Sequence, residues 1–185
     1  MKSFILVTIF NCVLCQLEEG YLSPVPDKCL GTTEMLYKNC CVFPPFFTRE
    51  VAKDCGGVME VLFMDTKHNV TGYRRRAYDC DYWRCVLDRY SLLDSYGAVD
   101  DAKFYEHLDL WVSLNPVFSD AMADAKAFCK ETVRAYLPLD PCEFFHLQGC
   151  VRNYLNVECP VVIPTKDCNE KKEFYRECRE YYHRK

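Results

Sequence analysis

The chain has 185 residues, 50% of them hydrophobic and 27% charged, with 23 Lys plus Arg against 27 Asp plus Glu and a formal net charge of −4. That length suits one domain with a substantial core. The mildly acidic balance excludes the basic footprint of a nucleic-acid binder.

Residues 1–15 read as a secretory signal: Lys2, an apolar run from Phe4 to Phe10, and Val13-Leu14-Cys15 at the cleavage position. The run is too short to span a bilayer, and no later stretch approaches about 20 apolar residues, so no membrane insertion is expected. The predicted mature protein, residues 16–185, is a single secreted, extracellular domain. Cleavage removes Cys12 and Cys15 and leaves Cys29, Cys40, Cys41, Cys55, Cys80, Cys85, Cys129, Cys142, Cys150, Cys159, Cys168 and Cys178. An even set in an oxidising compartment predicts six disulfides. No C-x2-C knuckle is present and His68, His107, His146 and His183 are scattered, so no metal and no cofactor is expected.

Residues 16–45 hold Gly20, Pro24, Pro26, Gly31, Pro44 and Pro45 with three cysteines, an irregular arm held by sulfur. Cys40 and Cys41 are neighbours pointing apart, which predicts two separate partners. A short helix is predicted from Phe46 to Lys53, ended by Gly56-Gly57. Val58, Val61, Leu62, Phe63 and Met64 have helical spacing. Asp65 to Arg76 reads as an exposed loop with solvated Arg74-Arg75-Arg76 and the sequon Asn69-Val70-Thr71, an N-glycosylation candidate.

Tyr78 to Leu93 predicts a helix carrying Cys80, Trp83, Cys85, Val86 and Leu87. The next helix starts at Asp100-Asp101, where negative charge favours a helix N-terminus. Asn115-Pro116 opens the longest predicted helix, Val117 to Leu137, with Cys129 on its buried face. Asp140-Pro141 starts a segment with Cys142, Phe144, Phe145 and Leu147 that is broken at Gly149. If the stretch from Cys150 to Cys159 is helical, nine steps of about 100° put its two sulfurs on opposite sides. Such sulfurs must reach two different parts of the molecule, so this rod reads as a crosslinked hub. Pro160 stops it. The apolar strap Val161-Val162-Ile163-Pro164 must lie against something. Asp167 and Glu170 then form a capping-box-like start for a last helix with Phe174, Tyr175, Cys178, Tyr181 and Tyr182 on one face.

The series Cys55-x24-Cys80-x4-Cys85-x43-Cys129-x20-Cys150-x8-Cys159-Pro160, with further cysteines before, between and after, resembles the insect odorant-binding proteins, and among them the Plus-C subgroup. The likeness covers nearly the whole mature chain. It implies an all-α, disulfide-crosslinked bundle of about six to eight helices enclosing an apolar cavity, with an irregular N-terminal arm and an extra C-terminal helix. It also implies the pairs Cys55 with Cys85, Cys80 with Cys150 and Cys129 with Cys159. Two features depart from the family pattern: the gap between Cys80 and Cys85 is x4 instead of x3, and Cys41 could replace Cys55. The remaining six cysteines make three bridges in an order the sequence leaves open.

The function implied by the resemblance is reversible carriage of small hydrophobic molecules, odorants and pheromones among them, through aqueous lymph, with a chemosensory receptor as a further partner. Candidate lining residues are Phe104, Leu108, Trp111, Val112, Phe118, Met122, Tyr136, Leu147, Tyr154 and Leu155. Trp111 and Met122 lead, because a large amphipathic ring and a flexible thioether suit loosely matched ligands. The alternative is a secreted interaction module whose tyrosine-rich last helix or 161–164 strap binds another chain; the same surfaces leave a homodimer open. An enzyme is not expected, since no Gly-x-Ser-x-Gly or paired His-Asp arrangement occurs. His107 reads as a surface histidine, and His183 as a group whose protonation loosens the last helix.

Overall fold

A computed structural model describes residues 25–57, 60–63, 71–74, 80–138 and 140–183. The expected signal segment, the sequon at Asn69 and Arg75-Arg76 lie outside these residues. The described chain is a disulfide-crosslinked helical bundle with eight α-helices: α1 (Thr33–Tyr37), α2 (Arg49–Asp54), α3 (Cys80–Arg89), α4 (Asp101–Leu114), α5 (Ser119–Thr132), α6 (Phe144–Val157), α7 (Lys166–Glu177) and α8 (Arg179–Tyr182). Short 3-10 turns occupy Asp27–Cys29, Pro116–Phe118 and Arg134–Tyr136.

The helical reading of the 58–64 cluster is corrected at residues 60–63. Strand β1 (Glu60–Phe63) pairs antiparallel with β2 (Thr71–Arg74), Glu60 opposite Arg74 and Phe63 opposite Thr71. A short apolar run rich in β-branched and aromatic residues does not distinguish helix from strand by spacing alone; here a partner strand decides it. Thr71–Arg74, expected as part of a loop, is strand.

Helix ends follow local hydrogen bonding. Thr48 caps α2 by accepting from Val51 N, and Asp100 caps α4 by accepting from Lys103 N. The α3 helix stops at Arg89, short of the expected Leu93, as Ser91 takes a φ of 56° and Asp94 Oδ1 accepts from the amides of Tyr96 and Ala98. The single rod expected from Val117 to Leu137 is three pieces. It opens with a 3-10 turn at Pro116, and α5 ends at Thr132, where the chain tightens into the 3-10 turn Arg134–Tyr136. Arg134 is then drawn aside, its Nε bound to both oxygens of Asp101 and its Nη1 donating to Leu137 O. Conversely α6 is not broken at Gly149. Cys142 N donates to Asp140 Oδ1 just ahead of it, and the helix then runs unbroken to Val157. The cap of α7 is Thr165, accepting from Cys168 N, instead of the expected Asp167, and a break at Cys178 separates α7 from α8.

The core is formed by the inner faces of α3, α4, α5 and α6 with Phe46 and Phe47 from the segment just ahead of α2. Trp83, Phe104 and Phe47 all meet Phe144 edge-on, at ring-centroid distances of 5.2, 4.9 and 6.1 Å. His107 is half-buried and not the expected surface histidine. Its ring stacks on Phe47 at 5.1 Å, and Nε2 lies 2.8 Å from Phe46 O. A carbonyl only accepts, so Nε2 carries the proton. Burial holds this ring below the ordinary histidine range, against the partial support of that hydrogen bond. The unfolded chain therefore takes up a proton as pH falls through about 6.5 while the folded protein resists it, so stability is lost on acidification. Urea unfolding at pH 7 and pH 5 should show a smaller loss for His107→Gln, which keeps a donor near Phe46 O; an equal loss in both proteins would assign the effect elsewhere.

All twelve cysteines after Cys15 are bonded: Cys29–Cys178, Cys40–Cys168, Cys41–Cys159, Cys55–Cys85, Cys80–Cys142 and Cys129–Cys150. The Cys55–Cys85 pair implied by the resemblance is present. The other two implied pairs are not. Cys142 precedes α6 and reaches Cys80 at the start of α3, leaving Cys150 for Cys129, where α6 packs on α5. Cys159 lies beyond the end of α6 and meets the arm. The hub reading is corrected in part: Cys150, inside α6, ties that helix to α5, while Cys159 lies past the helix end and ties the following segment to the arm. Cys40 and Cys41 also bond to separate partners, as their adjacency predicts.

Three of the bridges join residues 29–41 to residues 159–178, and hydrogen bonds complete this clasp. The strap lies against the arm, with Val42 N donating to Val161 O and Ile163 N to Cys40 O, both at 2.9 Å. Lys171 is buried; its Nζ donates to Leu36 O at 2.8 Å and Lys38 O at 2.7 Å, satisfying carbonyls at the end of α1. Lys38 pairs with Asp167. At Gly31, whose φ is +59°, a Cβ would come within 3.0 Å of Phe174 Cζ, so the arm passes the tail there only as glycine.

Candidate functional site: a cleft behind the C-terminal turn

The expected lining residues are mostly packed against each other. Phe104, Leu108, Trp111, Phe118, Met122, Leu147 and Leu155 are buried in the core, with Val112 half-buried against it. Trp111 stacks on Phe43 at 5.3 Å and meets Phe118 at 5.2 Å. Its Nε1 is buried without a hydrogen-bond partner among the described residues. Tyr136 is 81% exposed on its 3-10 turn. Tyr154, by contrast, lines a surface cleft.

That cleft has a volume of about 350 Å³ and is lined by Phe128, Val133, Phe145, His146, Gly149, Cys150, Asn153, Tyr154, Tyr182 and His183. Its size falls at the lower end of small-molecule sites. One wall comes from the end of α5, the floor from α6, and the other wall from α8 and the residue after it. Each position has a local cause. Cys150, on the floor, is bonded to buried Cys129 of α5. Gly149 has no side chain, and a Cβ built there meets nothing within 4 Å, so the floor is hollowed at this point. The far wall is held by Cys178, bonded to Cys29 next to Tyr182, whose hydroxyl donates to Cys29 O at 3.0 Å.

His183 closes the outer edge. Its ring stacks on Tyr154 with centroids 4.1 Å apart, and Nε2 lies 2.6 Å from Glu158 Oε1. Arg179 Nε lies 2.6 Å from the same carboxylate oxygen, and the Arg179 side chain also pairs with the Tyr154 hydroxyl. The histidine of the tail is thus packed against Tyr154 and set beside Glu158. Burial pushes the phenols of Tyr154 and Tyr182 above their ordinary range, with Asp124 adding to the shift at Tyr154. Both phenols therefore stay neutral at physiological pH.

Phe128, Phe145 and Val133 belong to helical stripes visible in the sequence, but nothing in those stripes separates cleft wall from core. The available signal was Gly149, a residue without a side chain inside an otherwise strong helical pattern. No cluster of three or more metal-ligating side chains occurs among the described residues. None of their helices is long and apolar enough to cross a membrane. The chain matches no protein-family model, no curated protein and no solved structure.

Proposed function

We propose that this protein is a secreted carrier of small hydrophobic molecules, similar in role to the odorant-binding proteins its cysteine series resembles. The observation that carries the reading is the cleft: about 350 Å³ of largely aromatic surface between walls that two disulfides hold apart. Six bridges suit an oxidising extracellular setting and stabilise a fold that leaves such a space unfilled. The bonding order lends the resemblance no weight beyond Cys55–Cys85, so the proposal rests on the site. In this reading the ligand lies in the cleft and not among the core residues first expected to line a cavity. An apolar fluorescent probe should bind the oxidised protein saturably at one site and be displaced by small volatile organic molecules. Fluorescence that rises linearly with probe, without saturation, would end the carrier reading.

The second reading is an interaction module, for which a different surface speaks than the one expected. The strap and the last helices are engaged in the clasp, whereas Leu110, Leu114 and Val117 stand 61%, 75% and 57% exposed at the end of α4. Light scattering at two protein concentrations separates a self-associating module from a monomeric carrier.

A further inference from the structure

Resting on the carrier reading, we propose that the cleft selects small planar aromatic molecules bearing a neutral polar group over aliphatic chains of the same size. The first reason is what the walls are made of. Phe128, Phe145, Tyr154 and Tyr182 supply rings, Val133 is the one branched aliphatic side chain, and no Leu, Ile or Met is among the lining residues.

The second reason is that the polar tips of these rings are already committed. The Tyr182 hydroxyl donates to Cys29 O, the Tyr154 hydroxyl is paired with Arg179, and Nε2 of His183 faces Glu158. Nε2 of His146 lies 3.3 Å from a Glu143 carboxylate oxygen. Ring faces and edges are what remain for a guest. The rings also brace one another: Tyr154 stacks on His183, and Phe128 meets the two at 5.4 and 5.9 Å. Walls fixed before binding cost little ordering when a ligand arrives.

A flat aromatic guest gains offset-stacked or edge-to-face contacts with such walls beyond the area it buries. A saturated chain gains the area alone and gives up rotamer freedom as it is immobilised. The rim favours a neutral guest, because the carboxylates Glu143 and Glu158 each already face a base. Exposed Asn153 adds amide donors and an acceptor for a hydroxyl or carbonyl.

The test compares 2-naphthol with 1-decanol, which share their carbon count and hydroxyl, by calorimetric titration of the full oxidised protein. Naphthol should bind at one site about tenfold or more tightly than decanol, the gain expected from two ring contacts. Phe128→Leu should weaken naphthol about three- to tenfold and leave decanol within about twofold. Should that variant not fold, the wild-type ratio and Asn153→Ala, at an exposed position, decide: Asn153→Ala should weaken naphthol but not naphthalene. Decanol binding as tightly as naphthol, or Phe128→Leu weakening both alike, overturns the aromatic preference and leaves the carrier reading standing. Absence of saturable binding by either ligand overturns both.

Discussion

Replacing Gly149 with phenylalanine is expected to block ligand binding while leaving the protein at least as stable as before. The two effects have separate origins. Gly149 lies inside α6, which is continuous from Phe144 to Val157, and glycine within a helix costs about 0.5–1 kcal/mol relative to alanine because it loses the most backbone freedom on folding. Phenylalanine recovers part of that cost. A Cβ at this position meets nothing within 4 Å, so the new side chain has room to enter, and the room is the cleft itself. Binding of an apolar probe should fall by more than about tenfold, or 1.4 kcal/mol. Gly149→Ala is the control: a similar or larger gain in urea stability, with probe affinity close to that of the parent. A Gly149→Phe protein that binds the probe normally would place the ligand elsewhere in the molecule.

The helices that carry the core were legible because their apolar spacing and caps agree: Asp100 caps α4 as its charge predicts, and Phe104, Leu108 and Trp111 are buried on one face. Sulfur count and the separate partners of Cys40 and Cys41 were legible for a similar reason, since each follows from neighbours in the chain. The bonding order was not. Cys41 and Cys159 are 118 residues apart, and their meeting depends on the strap turning back along the arm, a tertiary event that spacing does not encode. The cleft was hidden by two local ambiguities. Glycine at 149 reads as a helix breaker, yet packing of α6 on α5 and the Cys129–Cys150 bridge carry the helix through it. A stripe holding Phe128 or Tyr154 looks the same whether it faces core or open space. Trp111 and Met122 were favoured as lining for their chemistry, which served equally well as core packing, and the arm's Phe43 took the position a ligand was expected to occupy beside Trp111.

Removing either of the bridges Cys41–Cys159 and Cys40–Cys168 alone should cost far less than their separations of 118 and 128 residues imply, while removing both should cost more than the sum. A loop of about 100 residues corresponds to about 4.7 kcal/mol of unfolded-state entropy. These two bridges, however, begin at adjacent residues and end nine apart, so with one intact, breaking the other reopens a loop of only about ten residues and costs about 3 kcal/mol. When both are gone, the next restraint is Cys29–Cys178, and the second loss opens a loop of about 30 residues at about 4 kcal/mol. Alanine pairs at each bridge, compared with the quadruple variant by urea unfolding, should thus show about 1 kcal/mol of excess loss. Strict additivity, or single-bridge losses near 5 kcal/mol, would mean that the two act independently instead of as one clasp. The clasp also carries the far wall of the cleft, since Tyr182 and His183 follow directly on the tail it fastens. The quadruple variant should therefore lose affinity for the probe as well, although none of its four altered cysteines touches the site.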